Sequence, residues 1–268
     1  MYGAMLGDMV GAPYEFGESM KRKNFPVFIR RTHFTDDTVM TCAVADALIR
    51  AKKEGLASDE AAVKRLTAER MRAWGRKYPD AGYGGRFYEW LFHPAMGPYN
   101  SWGNGSAMRV SSAGWLYGTL EEVLQAARWT AEVTHDHPEG VLGAEAAAGA
   151  VFLARTTKDK EAVRSFITGR IGYDLSRTCD EIRPGYRFDV SCRGTLPEAV
   201  TAFLEGTDFE DVLRTAVSLG GDCDTLTCIA CSIAEAFYGI PEDLKEGCRA
   251  RLTDEMVGIA EEVDLQLA

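Results

Sequence analysis

The sequence predicts an all-α fold: a compact single-domain orthogonal helix bundle spanning residues 1–268. Three observations carry this. Apolar residues recur at helical spacing along most of the chain, whereas apolar/polar alternation over the length of a strand is hard to find. No Pro/Ser-rich linker, low-complexity tract or solenoid-period repeat divides it. A composition of 46% hydrophobic and 26% charged residues is that of an ordinary globular protein with a sizeable core.

Taken in order, the first element is a helix over Gly3–Gly11, rich in small and apolar residues on all sides, as an inner helix is. Asp8 sits on it as a carboxylate that must find partners, and Glu15, past Pro13, is placed to enter a cleft. Thr38–Leu48 forms a second inner helix. Ser58–Tyr78 is an outer one, with Ser58 as its N-cap and Ala62, Leu66, Met71 and Trp74 near one face. Thr119–Val133 repeats that device, with Glu121 and Glu122 in its first turn and Val123, Leu124, Ala127 and Ala131 inward. Glu139–Ala154 and Thr225–Tyr238 return to compact side chains and complete the inner layer. Glycine-rich turns at Gly82–Gly85, Gly103–Gly105 and Gly220–Gly221 separate these segments. Tyr83, Phe87, Trp90 and Trp102 are candidates for the rim of a cleft, although aromatic residues at such spacing are more often core.

A net charge of −10 repels a nucleic-acid backbone and an anionic membrane face. The longest apolar stretch, Ala146–Ala154, is far short of the roughly 18 residues of a membrane span, and no basic region followed by an apolar block opens the chain. A cytoplasmic location is expected. Seven cysteines, an odd number, read as reduced thiols. Cys223, Cys228 and Cys231 have a spacing that some iron–sulfur proteins use, but they lie in a uniformly small, apolar segment where cysteine acts as a buried hydrophobe.

Chemistry concentrates at helix starts. Thr35-Asp36-Asp37-Thr38 puts adjacent carboxylates between hydroxyls just before an inner helix; taken alone, Asp37 or Thr38 would be an ordinary cap. Gly220-Gly221-Asp222-Cys223-Asp224-Thr225 repeats the theme. Its carboxylates would point about 200° apart on a regular helix, but the glycine pair permits a turn that aims both at one point. Four carboxylates buried at inner-helix starts would cost a great deal without a cation, and a hard metal is the economical compensation. Oxygen-only donors favour Mg²⁺ or Mn²⁺ over zinc, and this many can hold two ions. Ser101-Trp102-Gly103-Asn104-Gly105 is a polar loop opening a helix, an arrangement that can present backbone N–H groups to a phosphate. In Thr134-His135-Asp136-His137-Pro138, two of four histidines reach a helix end, where a cap is the usual role.

In this order the segments GAMLGDMVGAPYEF, FTDDTVM, GNGSAMR, THDHP and GGDCDTLTCIACSIAEAFYG resemble the ADP-ribosylglycohydrolase family, from residue 3 to residue 239. The paired TDDT and GGDxDT blocks are the specific part. The resemblance implies a compact all-α fold around two Mg²⁺ or Mn²⁺ ions and the removal of ADP-ribose from an ADP-ribosylated protein side chain, arginine foremost, or a small molecule. It implies Thr35, Asp36, Asp37, Asp222, Asp224 and Thr225 as metal ligands, with one aspartate bridging. Glu15 stands at the position of a glutamate tied to catalysis, with Asp36 or Asp37 secondary for proton work. Asp36 and Ser101, Trp102, Gly103, Asn104 and Gly105 would meet the substrate, and His135 the ADP-ribose. Cys228 and Cys231 depart mildly, standing where glycine or alanine is common. A metal-dependent nucleotide phosphohydrolase and a non-catalytic ADP-ribose binder are the alternative readings.

Overall fold

The computed structural model of the chain describes residues 1–16 and 21–266. Its helices are α1 (Tyr2–Gly11), α2 (Asp36–Lys53), α3 (Glu60–Lys77), α4 (Gly85–Phe92), α5 (Gly105–Met108), α6 (Ser111–Leu116), α7 (Leu120–Glu132) and α8 (Pro138–Thr157). They continue as α9 (Lys160–Ser165), α10 (Cys179–Ile182), α11 (Cys192–Glu205), α12 (Phe209–Leu219), α13 (Cys223–Tyr238), α14 (Glu242–Arg249) and α15 (Asp254–Leu265). Among the described residues the only β pairing is one isolated bridge, Gly103 to Ser191. One continuous hydrophobic core draws on helices from α1 to α15.

The inner layer is the expected one. Every residue of α1 is buried, as is α13 from Cys223 to Ala234. Glycine lets these two helices touch: a Cβ on Gly7 would lie 2.3 Å from the Thr227 carbonyl oxygen, and Gly3 and Gly11 meet the carbonyls of Cys231 and Cys223 as closely. Small residues four apart make one stripe on a helix, and here the stripe admits the neighbouring backbone. All seven cysteines are free and buried, and those of α13 fill space as small apolar groups.

The outer helices α3 and α7 bury the predicted faces, Ala62, Leu66, Met71 and Trp74 on one and Val123, Leu124, Ala127 and Ala131 on the other. Thr119 caps α7 in a capping box with Glu122. The cap of α3 is Asp59 rather than Ser58, its carboxylate accepting the Ala62 N–H at 3.1 Å. An ionised acceptor there also meets the positive end of the helix, which a serine hydroxyl one residue earlier cannot do. No helix among the described residues is long and apolar enough to cross a membrane.

Candidate active site

The two acidic turns meet. Thr35, extended at φ −118°, caps α2 by accepting the Asp37 N–H, so the cap is Thr35 and not Asp37 or Thr38. Asp36 and Asp37 are thereby freed to face the interior. At α13, Gly220 and Gly221 adopt φ of +71° and +75°, the left-handed conformation that glycine takes without strain. This turn brings Asp222 and Asp224 to the same place. Thr225 joins the halves, its hydroxyl donating to Asp37 Oδ2 at 3.2 Å across 188 residues of sequence.

Helix α1 holds both turns in register. Its glycine stripe seats it on α13, while Asp8 accepts four hydrogen bonds from the start of α2. The donors are the amides of Thr35 and Thr38, at 2.9 and 3.1 Å, and their hydroxyls, at 2.6 and 2.5 Å. Asp8 is the satisfied structural carboxylate the sequence suggests, and it is more. One oxygen each from Asp8, Asp37 and Asp224 lie within 4.8 Å of one another, as do oxygens of Glu15, Asp222 and Asp224. Asp224 belongs to both groups. Asp36 is in neither, though it lines the same cavity.

Electrostatics show what this cluster lacks. Burial, reinforced by the neighbouring acids, pushes the carboxyls of Asp37 and Asp224 well above their ordinary range and Asp36 up to about 8. Glu15 is raised to about 7, by burial first and then by Asp222. No Lys, Arg or His among the described residues lies within ion-pair distance of Asp8, Glu15, Asp36, Asp37, Asp222 or Asp224. Asp37 Oδ1 is buried with no hydrogen-bond partner. An orphaned carboxylate oxygen beside two or three others, all hard donors, fits a divalent cation such as Mg²⁺ or Mn²⁺.

These carboxylates form one end of a cavity of about 530 Å³, a size suited to a small-molecule ligand. The Ser101–Gly105 loop forms another wall, fastened on several sides. Asn104 donates from its side chain to Asp222 at 2.7 Å and Thr195 at 3.0 Å, which ties the loop to the acidic turn. Two of its amides are spent internally: Gly103 N–H on Ser101 Oγ and Asn104 N–H on the Val190 carbonyl. The amides of Trp102 and Gly105 have no protein acceptor among the described residues. The loop therefore offers fewer N–H groups than its composition suggests. It also opens only a single helical turn, α5, with little dipole to add.

The histidines divide. His137 caps α8 through Nδ1, accepting the Glu139 N–H at 3.1 Å, while His135 is 95% buried in the cavity wall. Phe87 and Trp102 line the cavity, Trp102 half exposed at its mouth, and Trp90 is core. Two contributors were not assigned from sequence: Asp8 as a member of an acidic group, and Arg109, buried against the cavity with no carboxylate partner. Asp8 left a signal, a carboxylate in the middle of a small-residue helix. Arg109 left none.

In this helical protein the acidic turns at the starts of α2 and α13 converge on one ligand-sized cavity, the architecture of a carboxylate-centred binding site. The sequence profile of the ADP-ribosylglycohydrolase family matches residues 1–267, and the chain belongs to that family. ADP-ribosylhydrolase ARH3 of Mus musculus is 29% identical over 92% of this chain and 85% of its own; the Homo sapiens protein of that name is 28% identical, covering 92% and 87%. ADP-ribosylarginine hydrolase Tri1 of Pseudomonas putida (strain GB-1) is 27% identical across 90% of this chain and 70% of its own. A solved structure described as an ADP-ribosylglycohydrolase-related protein complex superposes with a TM-score of 0.70 at 27% identity, covering 99% of this chain and 95% of that one.

Proposed function

We propose that the chain is a divalent-metal-dependent hydrolase that cleaves the glycosidic bond between ADP-ribose and an acceptor, an arginine side chain or a small molecule, releasing ADP-ribose. The observation that carries this is the shared position of Asp224 in two adjacent carboxylate groups at the end of a nucleotide-sized cavity. Family membership and the names of the relatives supply the substrate class. Asp37, Asp222 and Asp224, with Thr35, Asp36 and Thr225 beside them, would hold two Mg²⁺ or Mn²⁺ ions. Bound there, the cations would supply charge neutralisation and polarisation at the ribose.

The chain's own groups do the rest. Breaking a bond at the anomeric carbon passes through oxocarbenium character, so the sugar must be held and a proton moved. Glu15, raised to about 7, can exchange a proton at its carboxylate near neutral pH. The free amides of Trp102 and Gly105 and the imidazole of His135 would orient the diphosphate and ribose. Trp102 would cover the mouth. The net charge of −10 does not exclude this anionic ligand, because exposed charges are screened over about 8–10 Å.

The test is product analysis. Purified chain is incubated with ADP-ribosylated arginine and serine peptides, with Mg²⁺ or a chelator, and products are separated by chromatography. Intact ADP-ribose released only with metal is expected. AMP or inorganic phosphate would instead identify a phosphohydrolase, and binding of ADP-ribose without turnover of any substrate a non-catalytic binder.

A further inference from the structure

Arg109, Thr134 and His135 form a chain of hydrogen bonds behind the cavity wall. Arg109 Nη2 donates to the Thr130 carbonyl at 3.1 Å and to Thr134 Oγ1 at 2.9 Å. Thr134 Oγ1 lies 2.8 Å from His135 Nδ1. Thr134 is wholly buried and Arg109 is 1% exposed, so bulk solvent does not reach these groups.

Donor and acceptor capacities decide the protons. A guanidinium only donates, so Thr134 Oγ1 must accept from Arg109. The hydroxyl has one proton of its own, and among the described residues the only acceptor within reach of it is His135 Nδ1. Were Nδ1 protonated, two donors would point at one oxygen and the threonine proton would be buried unmade, the costly arrangement for a desolvated donor. Nδ1 is therefore the acceptor, and the ring proton sits on Nε2. That nitrogen faces the ligand loop: a Cβ on Gly105 would stand 3.3 Å from it and one on Gly103 3.5 Å, and it has no protein partner among the described residues. Burial first, then the Arg109 charge, holds the imidazole well below its ordinary value, hence neutral. Arg109 itself, lowered by burial to about 10, stays charged.

We propose that Thr134, held by Arg109, is a positioning residue that fixes His135 as the Nε2–H tautomer, so that the cavity presents a hydrogen-bond donor there and binds an acceptor oxygen of the ligand. For the ligand to be ADP-ribose, with a diphosphate or ribose oxygen on Nε2, this rests on the function proposed above; the tautomer does not. Gly105 then has a reason, since a side chain there would crowd the donor.

Long-range ¹H–¹⁵N spectra of the metal-free full chain read the tautomer directly, with His135→Asn identifying the signals. In wild type Nδ1 is expected at the position of an unprotonated, hydrogen-bonded nitrogen and Nε2 at that of a protonated one. Thr134→Ser should keep this pattern. Thr134→Val should displace the Nδ1 resonance and weaken ADP-ribose binding, read by calorimetry with Mg²⁺ present, roughly 3- to 10-fold, the worth of one hydrogen bond. A general loss of packing would not move the two ring nitrogens in this selective way. A proton on Nδ1 in wild type, or His135 resonances unchanged in Thr134→Val, overturns the proposal. The expected spectra from a wild-type chain that does not bind ADP-ribose would uphold the positioning role and overturn the substrate assignment.

Discussion

Glu15 is the residue on which turnover should depend most selectively. It lies in the second acidic group with Asp222 and Asp224, and burial, reinforced by Asp222, raises it to about 7, where a carboxyl can gain and lose a proton at physiological pH. General acid–base groups contribute on the order of 10²–10⁴ in rate. Glu15→Gln is expected to lower kcat for ADP-ribose release by about that factor while leaving ADP-ribose affinity within about threefold. A fall in affinity alone, with kcat preserved, would assign Glu15 to binding. Much at this scale is legible in the sequence, because TDDT and GGDxDT combine residue types whose joint burial as charged groups is costly without a cation. What is not legible is pairing at a distance. The donation of Thr225 to Asp37 spans 188 residues, and the link from Arg109 through Thr134 to His135 joins ordinary residues whose meaning comes only from proximity.

At the scale of elements, α1 sets the geometry of the site. It touches α13 through glycine and α2 through Asp8, and so fixes the distance between the two acidic turns. Gly7→Ala would drive a methyl to 2.3 Å from the Thr227 carbonyl, and backbone cannot yield as a side-chain tip can. Overpacking of this kind costs about 1–3 kcal/mol. Urea unfolding is expected to show such a loss with an unchanged slope, together with weaker Mg²⁺ binding because the turns are pushed apart. Full stability would mean that α1 is not clamped as described. The inner and outer layers are readable from side-chain size and periodicity, since small residues on all faces leave a helix no solvent side. Caps are less readable: where Ser58 and Asp59 adjoin, or Thr35, Asp37 and Thr38, several residues can accept the same amide, and tertiary demand selects among them.

Over the whole molecule, the acidic centre ties stability to pH and metal. Asp36, Asp37, Asp224 and Glu15 all have folded-state values raised above those of an unfolded chain. Each therefore contributes stability that is fully present below the ordinary carboxylate range and is lost as pH rises through its raised value, about 7 for Glu15 and about 8 for Asp36. With chelator present, Tm should fall as pH is raised from about 6 to about 9. Mg²⁺ should raise Tm more at the upper end, because protons and cations compete for the same oxygens. A metal-free Tm that is flat or rising over that range would contradict the picture.

Direct titration of the metal-stripped chain with Mn²⁺, followed by calorimetry and by electron paramagnetic resonance of free Mn²⁺, tests the convergence of the two acidic turns without reference to any substrate. Two Mn²⁺ per wild-type chain are expected, and Asp224→Asn, by removing the carboxylate common to both groups, should weaken both together while the folded circular dichroism spectrum is retained. A wild-type chain that takes up no Mn²⁺, or an Asp224→Asn chain that still binds two with undiminished affinity, would contradict the account.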